Sequence, residues 1–318
     1  MSLKWKGVMP AVFTWLKESA SGDIEIDFEK TKEYATGILK VQGLGGTRMN
    51  GLVGSGTLGE NSYLSSEQRV SLLEALSEVA KEYNVPLISG AAAETKEELA
   101  TIVKGLADAG VDTVMVMPPK TKELPSDEVM YAYYELAEST ARNAGVTIMP
   151  YNNPDAAGYH ALSTELLLRL AKLPNVTALK ISTIDVSIIE TMMLANKDLE
   201  ILAGVDTVTV HAGLAGAIGG ITGVGCIFPK ASVTMQEYVS QGNWAEANKI
   251  SQAMNSISYL DAQPLLMEYL KYAFGIHHND AAGGLRTLGK KLTQQQIDDV
   301  QARYILAKER LEFLDLID

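Results

Sequence analysis

Three short stretches bring together residues that can do chemistry. Gly56-Thr57-Leu58-Gly59-Glu60 is small and donor-rich, Tyr151-Asn152-Asn153-Pro154 sets a phenol beside two amides, and Val176-Thr177-Ala178-Leu179-Lys180 is an apolar run closed by a lysine. A lysine in such a run is costly to keep charged, because desolvation lowers its pKa toward the neutral amine, the nucleophile of Schiff-base chemistry. It can equally lie at a strand end with its ammonium in solvent. Tyr151 also admits two readings, a proton-transferring phenol or a buried ring whose hydroxyl is satisfied. The backbone N–H groups between Gly56 and Gly59 can face an anion such as a carboxylate, although turns of this composition also occur simply as turns.

Strands must hold these groups. Eight apolar runs, at 7–13, 49–54, 86–90, 112–117, 146–151, 176–181, 199–203 and 219–223, alternate with helical patterns. The runs lack alternation because strands covered on both faces need none. Ser65 with Gln68 and Thr95 with Glu98 have capping-box spacing. Val70, Leu73, Leu76, Ala80 and Tyr83 mark one helix face, and Leu99, Ile102, Val103 and Leu106 mark the next, which stops at Gly110. Eight β/α units require a large open parallel sheet or a closed barrel, and eight is the number that closes around a filled interior. The expected fold is therefore α/β, a (β/α)8 TIM barrel over 1–229. The last barrel helix and a C-terminal helical extension occupy 230–318, with helices at 244–259, 263–274 and 293–314. Ligands of such a barrel meet the C-terminal strand ends. Tyr151 and Lys180 end consecutive runs, so they stand on neighbouring strands about 4.8 Å apart.

The chain has 318 residues, with 39 acidic against 27 basic and a net charge of −12, which repels phosphate backbones and anionic membrane surfaces. Neither nucleic acid nor membrane is an expected partner. The stretch 207–229 lacks charged residues but is rich in glycine, which at roughly 1 kcal/mol per helix position argues for a buried helix and strand over a membrane span. Its glycines between Gly213 and Gly225 either cradle a phosphate or allow close backbone packing, and no phosphate-loop or dinucleotide spacing appears. The single cysteine, Cys226, excludes an intramolecular disulfide framework and reads as a core residue. With no leader pattern at the start, a cytoplasmic location is expected. His277-His278 with Asp280 lacks a third ligand at a known metal-site spacing, so no metal and no cofactor are expected.

In order and spacing, Gly56-Thr57-Leu58-Gly59-Glu60, Tyr151-Asn152-Asn153-Pro154, Lys180, Gly204-Val205-Asp206 and Gly219-Gly220-Ile221-Thr222 resemble the dihydrodipicolinate synthase / N-acetylneuraminate lyase family. The resemblance runs from Gly7 to Pro229 and more loosely through the C-terminal helices. It implies a barrel, usually tetrameric, that attaches a 2-oxo acid to its lysine and cleaves, forms or dehydrates a neighbouring bond. On this chain it implies Lys180 as Schiff-base nucleophile, Tyr151 as proton shuttle and Thr57 as a hydroxyl relay to Tyr151. The amides of Thr57 and Leu58 would hold the carboxylate, with Gly56, the Gly204 carbonyl and Ile221 lining the pocket. A protonated imine is an electron sink, so a neighbouring carbanion is stabilised without metal or cofactor.

Departures from the family pattern bear on substrate. Leu58 stands where relatives commonly have Thr or Ser. Dihydrodipicolinate synthases have an arginine two residues after the motif proline, where this chain has Ala156 within Asp155-Ala156-Ala157-Gly158. They also have a tyrosine, reaching in from a neighbouring subunit, where this chain reads Met117-Pro118-Pro119-Lys120-Thr121-Lys122. Tyr131, Tyr133 and Tyr134 follow at helical positions that suggest packing. These departures resemble the hydratase-aldolase branch, which handles apolar 2-oxo acids. The expected function is thus a Schiff-base-forming lyase, aldolase or dehydratase, acting on pyruvate or another 2-oxo acid with an aldehyde partner, as a homotetramer. A true dihydrodipicolinate synthase, a non-catalytic 2-oxo-acid-binding barrel and a phosphate- or cofactor-binding barrel enzyme stay open beside it.

Overall fold

The computed structural model describes residues 5–119, 121–153, 160–263, 265–279 and 287–317. β1 (Gly7–Pro10) is followed by an antiparallel hairpin, β2 (Leu16–Glu18) and β3 (Ile24–Ile26), and then by α1 (Phe28–Lys40). The sequence patterns did not show this hairpin, whose strands are too short for a period to register. Strands and helices then alternate: β4 (Leu52–Val53), α2 (Ser66–Tyr83), β5 (Leu87–Ala91), α3 (Lys96–Asp108), β6 (Thr113–Val116), α4 (Asp127–Asn143), β7 (Thr147–Asn152) and α5 (Thr164–Leu170). The chain continues through β8 (Leu179–Ile181), α6 (Ser187–Ala195), β9 (Ile201–Ala203), α7 (Thr209–Leu214), β10 (Gly219–Thr222) and α8 (Pro229–Ser240). α9 (Trp244–Ser258), α10 (Leu266–His277) and α11 (Gln294–Phe313) complete it.

Eight parallel strands form one sheet in the order β1-β10-β9-β8-β7-β6-β5-β4. A parallel bridge from Ala11 to Val53 joins its ends, backed by Val12 N donating to the Val53 carbonyl at 2.9 Å and Asn50 N to that of Val8 at 3.0 Å. The fold is therefore the expected TIM barrel with C-terminal helices. The expected strands at 49–54 and 176–181 are shorter than their apolar runs, and Val176 makes only an isolated bridge to Ile148. The glycine-rich stretch supplies α7, β10 and the start of α8, and among the described residues no helix is long and apolar enough to cross a membrane.

Alternation along the strands separates two apolar layers. Met9, Val53, Ile88, Met115, Met149, Ala178, Leu202 and Ile221, one from each strand run, form a plug inside the barrel above Trp5. Their neighbours Val8, Leu52, Leu87, Val114, Ile148, Leu179, Ile201 and Ala203 face the helices. Residues two positions past the plug again point inward, now at the C-terminal mouth.

Helix ends follow the local signals. Ser65 and Gln68 form a reciprocal capping box, and the Thr95 hydroxyl accepts from Glu98 N at 3.2 Å. The buried face of α2 is Leu72, Leu73, Leu76, Val79 and Ala80, while Val70 is exposed. Tyr133 and Tyr134 are packed as their helical spacing suggests, with Tyr134 donating to the Val116 carbonyl at 3.2 Å. Cys226 is buried, donates to the Ala11 carbonyl at 3.1 Å, and its thiol is pushed up to about 12 by that burial.

His277 and His278 belong to an aromatic cluster. His277 meets Phe228 edge-on at 5.3 Å, and its Nδ1 lies 3.1 Å from the Tyr304 hydroxyl. Asp280 lies outside the described residues. Burial, aided by His278 and Lys308, lowers the His277 pKa to about 4. The unfolded chain, with a histidine near 6.5, then binds the extra proton between those values, so stability must fall as pH drops from about 6.5 to 4. The loss is on the order of 3 kcal/mol. Urea titrations of wild type and His277→Gln across this range are expected to diverge, the variant losing less; parallel curves would show that His277 does not titrate with folding.

Candidate active site

Tyr151 and Lys180 are Cα partners across β7 and β8. Met149 and Ala178 lie in the plug two residues earlier on each strand, so period two turns Tyr151 and Lys180 inward, one level higher. Lys180 is buried, and its Nζ lies over the Tyr151 ring, 4.2 Å from the centroid. One further step along each strand gives Asn153 and Ser182. Asn153 Nδ2 donates to the Tyr151 hydroxyl at 2.9 Å and Ser182 Oγ donates to it at 3.2 Å. These two hydrogen bonds fix the phenol oxygen in place beside the amine. Ser182 belongs to none of the sequence motifs, although its place two residues after Lys180 on an inward face is a signal the sequence holds.

Gly204, directly after β9, lets the lysine pass. A Cβ there would stand 2.7 Å from Lys180 Cε and 1.9 Å from Ser182 Oγ, and the Gly204 amide is fixed by the Ile181 carbonyl at 2.9 Å. Ile221 is part of the plug and forms the floor. Asp206 ties the loops after β9 and β10 together, accepting from Thr222 Oγ1 at 2.5 Å, Gly223 N at 3.0 Å and Val224 N at 2.9 Å. Burial pushes its carboxyl up, against the pull of those three hydrogen bonds and of the Lys180 charge.

The Gly56–Glu60 turn follows β4. Ser55 at φ +50° and Glu60 at φ +58° bracket it, both in the left-handed region, where a non-glycine residue costs about 1–3 kcal/mol unless its surroundings hold it there. Glu60 N donates to the Thr57 carbonyl at 3.0 Å, and the Thr14 hydroxyl to that of Gly59 at 2.8 Å. Among the described residues the Thr57 and Leu58 amides donate to no protein group. The Thr57 side chain is exposed, and the donors on Tyr151 are Asn153 and Ser182 rather than Thr57. Leu58 is buried in the outer apolar cluster with Leu270 of α10, and a Cβ on Gly223 would meet the methyls of both. Exchange of a hydroxyl for leucine is thus absorbed by packing against the C-terminal helices. Lys120, Pro154, Asp155, Ala156, Ala157 and Gly158 lie outside the described residues.

A buried amine, a phenol beside it and a turn with unengaged amides suit a small carbonyl compound that also carries an anionic group. Residues 5–297 match the model of the Dihydrodipicolinate synthetase family. A 4-hydroxy-tetrahydrodipicolinate synthase of Archaeoglobus fulgidus is 26% identical over 98% of this chain and 99% of its own. Among solved structures, a Ruminococcus gnavus sialic acid aldolase superimposes with a TM-score of 0.82 at 24% identity, covering 98% of this chain and 99% of that one. The 4-hydroxy-tetrahydrodipicolinate synthase of Methylacidiphilum fumariolicum SolV gives 0.84 at 20%, covering 98% of both. These two likenesses show a shared fold.

Gly204→Ala is expected to displace Lys180, since its methyl would fall inside the contact radius of Cε, and to lower stability by about 1–3 kcal/mol through overpacking. A crystal structure and a thermal melt of the variant check this; an unmoved Lys180 would mean that the strand yields instead.

Proposed function

We propose that this chain, a member of the dihydrodipicolinate synthetase family, is a lyase that forms a Schiff base between Lys180 and pyruvate or another 2-oxo acid. What carries the proposal is the amine of Lys180 held in a buried position beside the Tyr151 ring. The neutral amine attacks the keto carbon, and loss of water leaves an imine that carries a positive charge once protonated. That charge accepts the electron pair released when the bond next to it breaks, and returns the pair when a bond forms to an aldehyde. The Tyr151 phenol, with its two donors, moves the proton that accompanies each step. The Thr57 and Leu58 amides hold the carboxylate, and Gly56 and the Gly204 carbonyl line its surroundings. The proposal includes a cytoplasmic homotetramer, whose assembly sedimentation velocity would read.

The names of the curated relatives favour a second reading, the synthase of the dicarboxylate product. Against it stands Ala156 at the place of the expected arginine, together with buried Pro118 and Pro119 where a tyrosine would be. An anionic acceptor aldehyde would lack its cation, at about 1–3 kcal/mol for each buried group left unpaired, whereas an aromatic or aliphatic aldehyde brings no charge to be met.

Borohydride reduction in the presence of pyruvate is expected to fix a stable adduct on Lys180, found by peptide mass spectrometry and lost in Lys180→Ala, which should also lose all turnover. Tyr151→Phe should slow turnover about 10²–10⁴-fold while still permitting adduct formation. Turnover retained by Lys180→Ala would refute the assignment. In condensation assays with pyruvate, aromatic aldehydes are expected to exceed aspartate semialdehyde in kcat/KM; the reverse order would favour the synthase.

A further inference from the structure

Glu60 ends the turn whose amides are assigned to the carboxylate, and it is completely buried in left-handed backbone. Nothing on its own strand or helix neutralises it. Its Oε2 is paired with Nζ of Lys271, a residue of α10 that is itself 1% exposed and also donates to the Thr14 carbonyl at 2.8 Å. Its Oε1 accepts from Thr287 Oγ1 at 2.6 Å and from Leu288 N at 2.7 Å. Thr14 in turn donates to the Gly59 carbonyl, inside the turn, at 2.8 Å. The neighbouring α10 residue, Leu270, packs near Leu58. The C-terminal helices thus grip the turn at Leu58, Gly59 and Glu60, the residues flanking the two unengaged amides.

We propose that Lys271 is a positioning residue, which through Glu60 sets the direction and spacing of the Thr57 and Leu58 amides and so the affinity for the 2-oxo acid carboxylate. The C-terminal extension then completes a binding turn that the barrel alone leaves unfinished. A turn bracketed by two left-handed non-glycine residues needs outside contacts to keep its shape. Glu60 supplies three of them, one charge pair and two hydrogen bonds from the 287–288 segment, and Thr14, held by Lys271, supplies a fourth at the Gly59 carbonyl. The inference rests on the Schiff-base reading for what the amides hold.

The test measures the concentration dependence of borohydride trapping on Lys180 for wild type, Lys271→Met, Lys271→Arg and Thr287→Val. Pyruvate is compared with pyruvamide, which keeps the ketone and replaces the carboxylate by a neutral amide. Lys271→Met is expected to raise the half-saturating pyruvate concentration tenfold or more while leaving the maximal trapping rate within about threefold. Lys271→Arg should recover part of the loss, and Thr287→Val should show a two- to fivefold rise. Pyruvamide half-saturation should stay within twofold throughout. Thr287→Val removes a single donor, so it decides the matter if Lys271→Met fails to fold. Unchanged half-saturation for pyruvate in folded variants, or equal weakening of both ligands, overturns the proposal. Absence of any adduct in wild type at high pyruvate instead overturns the Schiff-base reading and the positioning role with it.

Discussion

Inside a closed barrel every second residue of a strand faces the axis, and the lower part of that axis is filled by apolar side chains. Polar chemistry can begin only one inward position above the plug. Tyr151 and Lys180 occupy that position on neighbouring strands, and Asn153 and Ser182 occupy the next. Their convergence is therefore a consequence of register, fixed by the same alternation that sends Leu179 and Ile181 outward to the helices. A slip of one residue would bury the lysine among leucines and leave the mouth lined with apolar groups. Gly204 belongs to the same constraint, since the third strand of the group must give up its side chain for the lysine to stand upright.

Above that level the site is shaped by carboxylates, buried at Glu60 and Glu237 and half-buried at Asp206, rather than by strands. Asp206 joins the ends of β9 and β10, Glu60 joins the β4 turn to α10 and the 287–288 segment, and at the opposite end of the barrel Glu237 accepts from Gly45 N and Thr47 N at 2.8 and 2.7 Å. Burying a charge is unfavourable unless its lone pairs are met, and here each carboxylate gathers several donors from loops that would otherwise have little to fix them. By contrast the helix-surface pairs, such as Lys308 with Glu312 and Arg303 with Asp299, are solvent-exposed and contribute little to stability. Removing one partner of Glu60 and Lys271 strands a charge in the interior, the costly case for buried pairs.

The sequence carried the barrel and the core of the site because both rest on local pattern. Eight apolar runs separated by capped helices count the strands, and a lysine and a tyrosine ending consecutive runs must face each other across about 4.8 Å. Leu58 was legible as a departure but not as to where its side chain goes, since its partner Leu270 is remote in sequence and no period links them. The Glu60–Lys271 pair spans 211 residues, and a lysine within α10 looks like any helical lysine until the helix is docked. The β2–β3 hairpin was lost for the opposite reason, being too local and too short, with exposed charges at Lys17, Glu18 and Glu25 masking its two apolar anchors Leu16 and Ile26.

The distance along the chain between Glu60 and its partners also sets an order of events. Synthesis runs from the N-terminus, and domains commonly fold as they emerge. All eight strands of this barrel have been made by Thr222, before Lys271 and Leu288 are translated. The nascent protein can close its sheet with Glu60 still uncompensated, and the C-terminal helices arrive afterwards to neutralise it. The turn after β4, among the first parts of the barrel to be translated, is among the last to be finished.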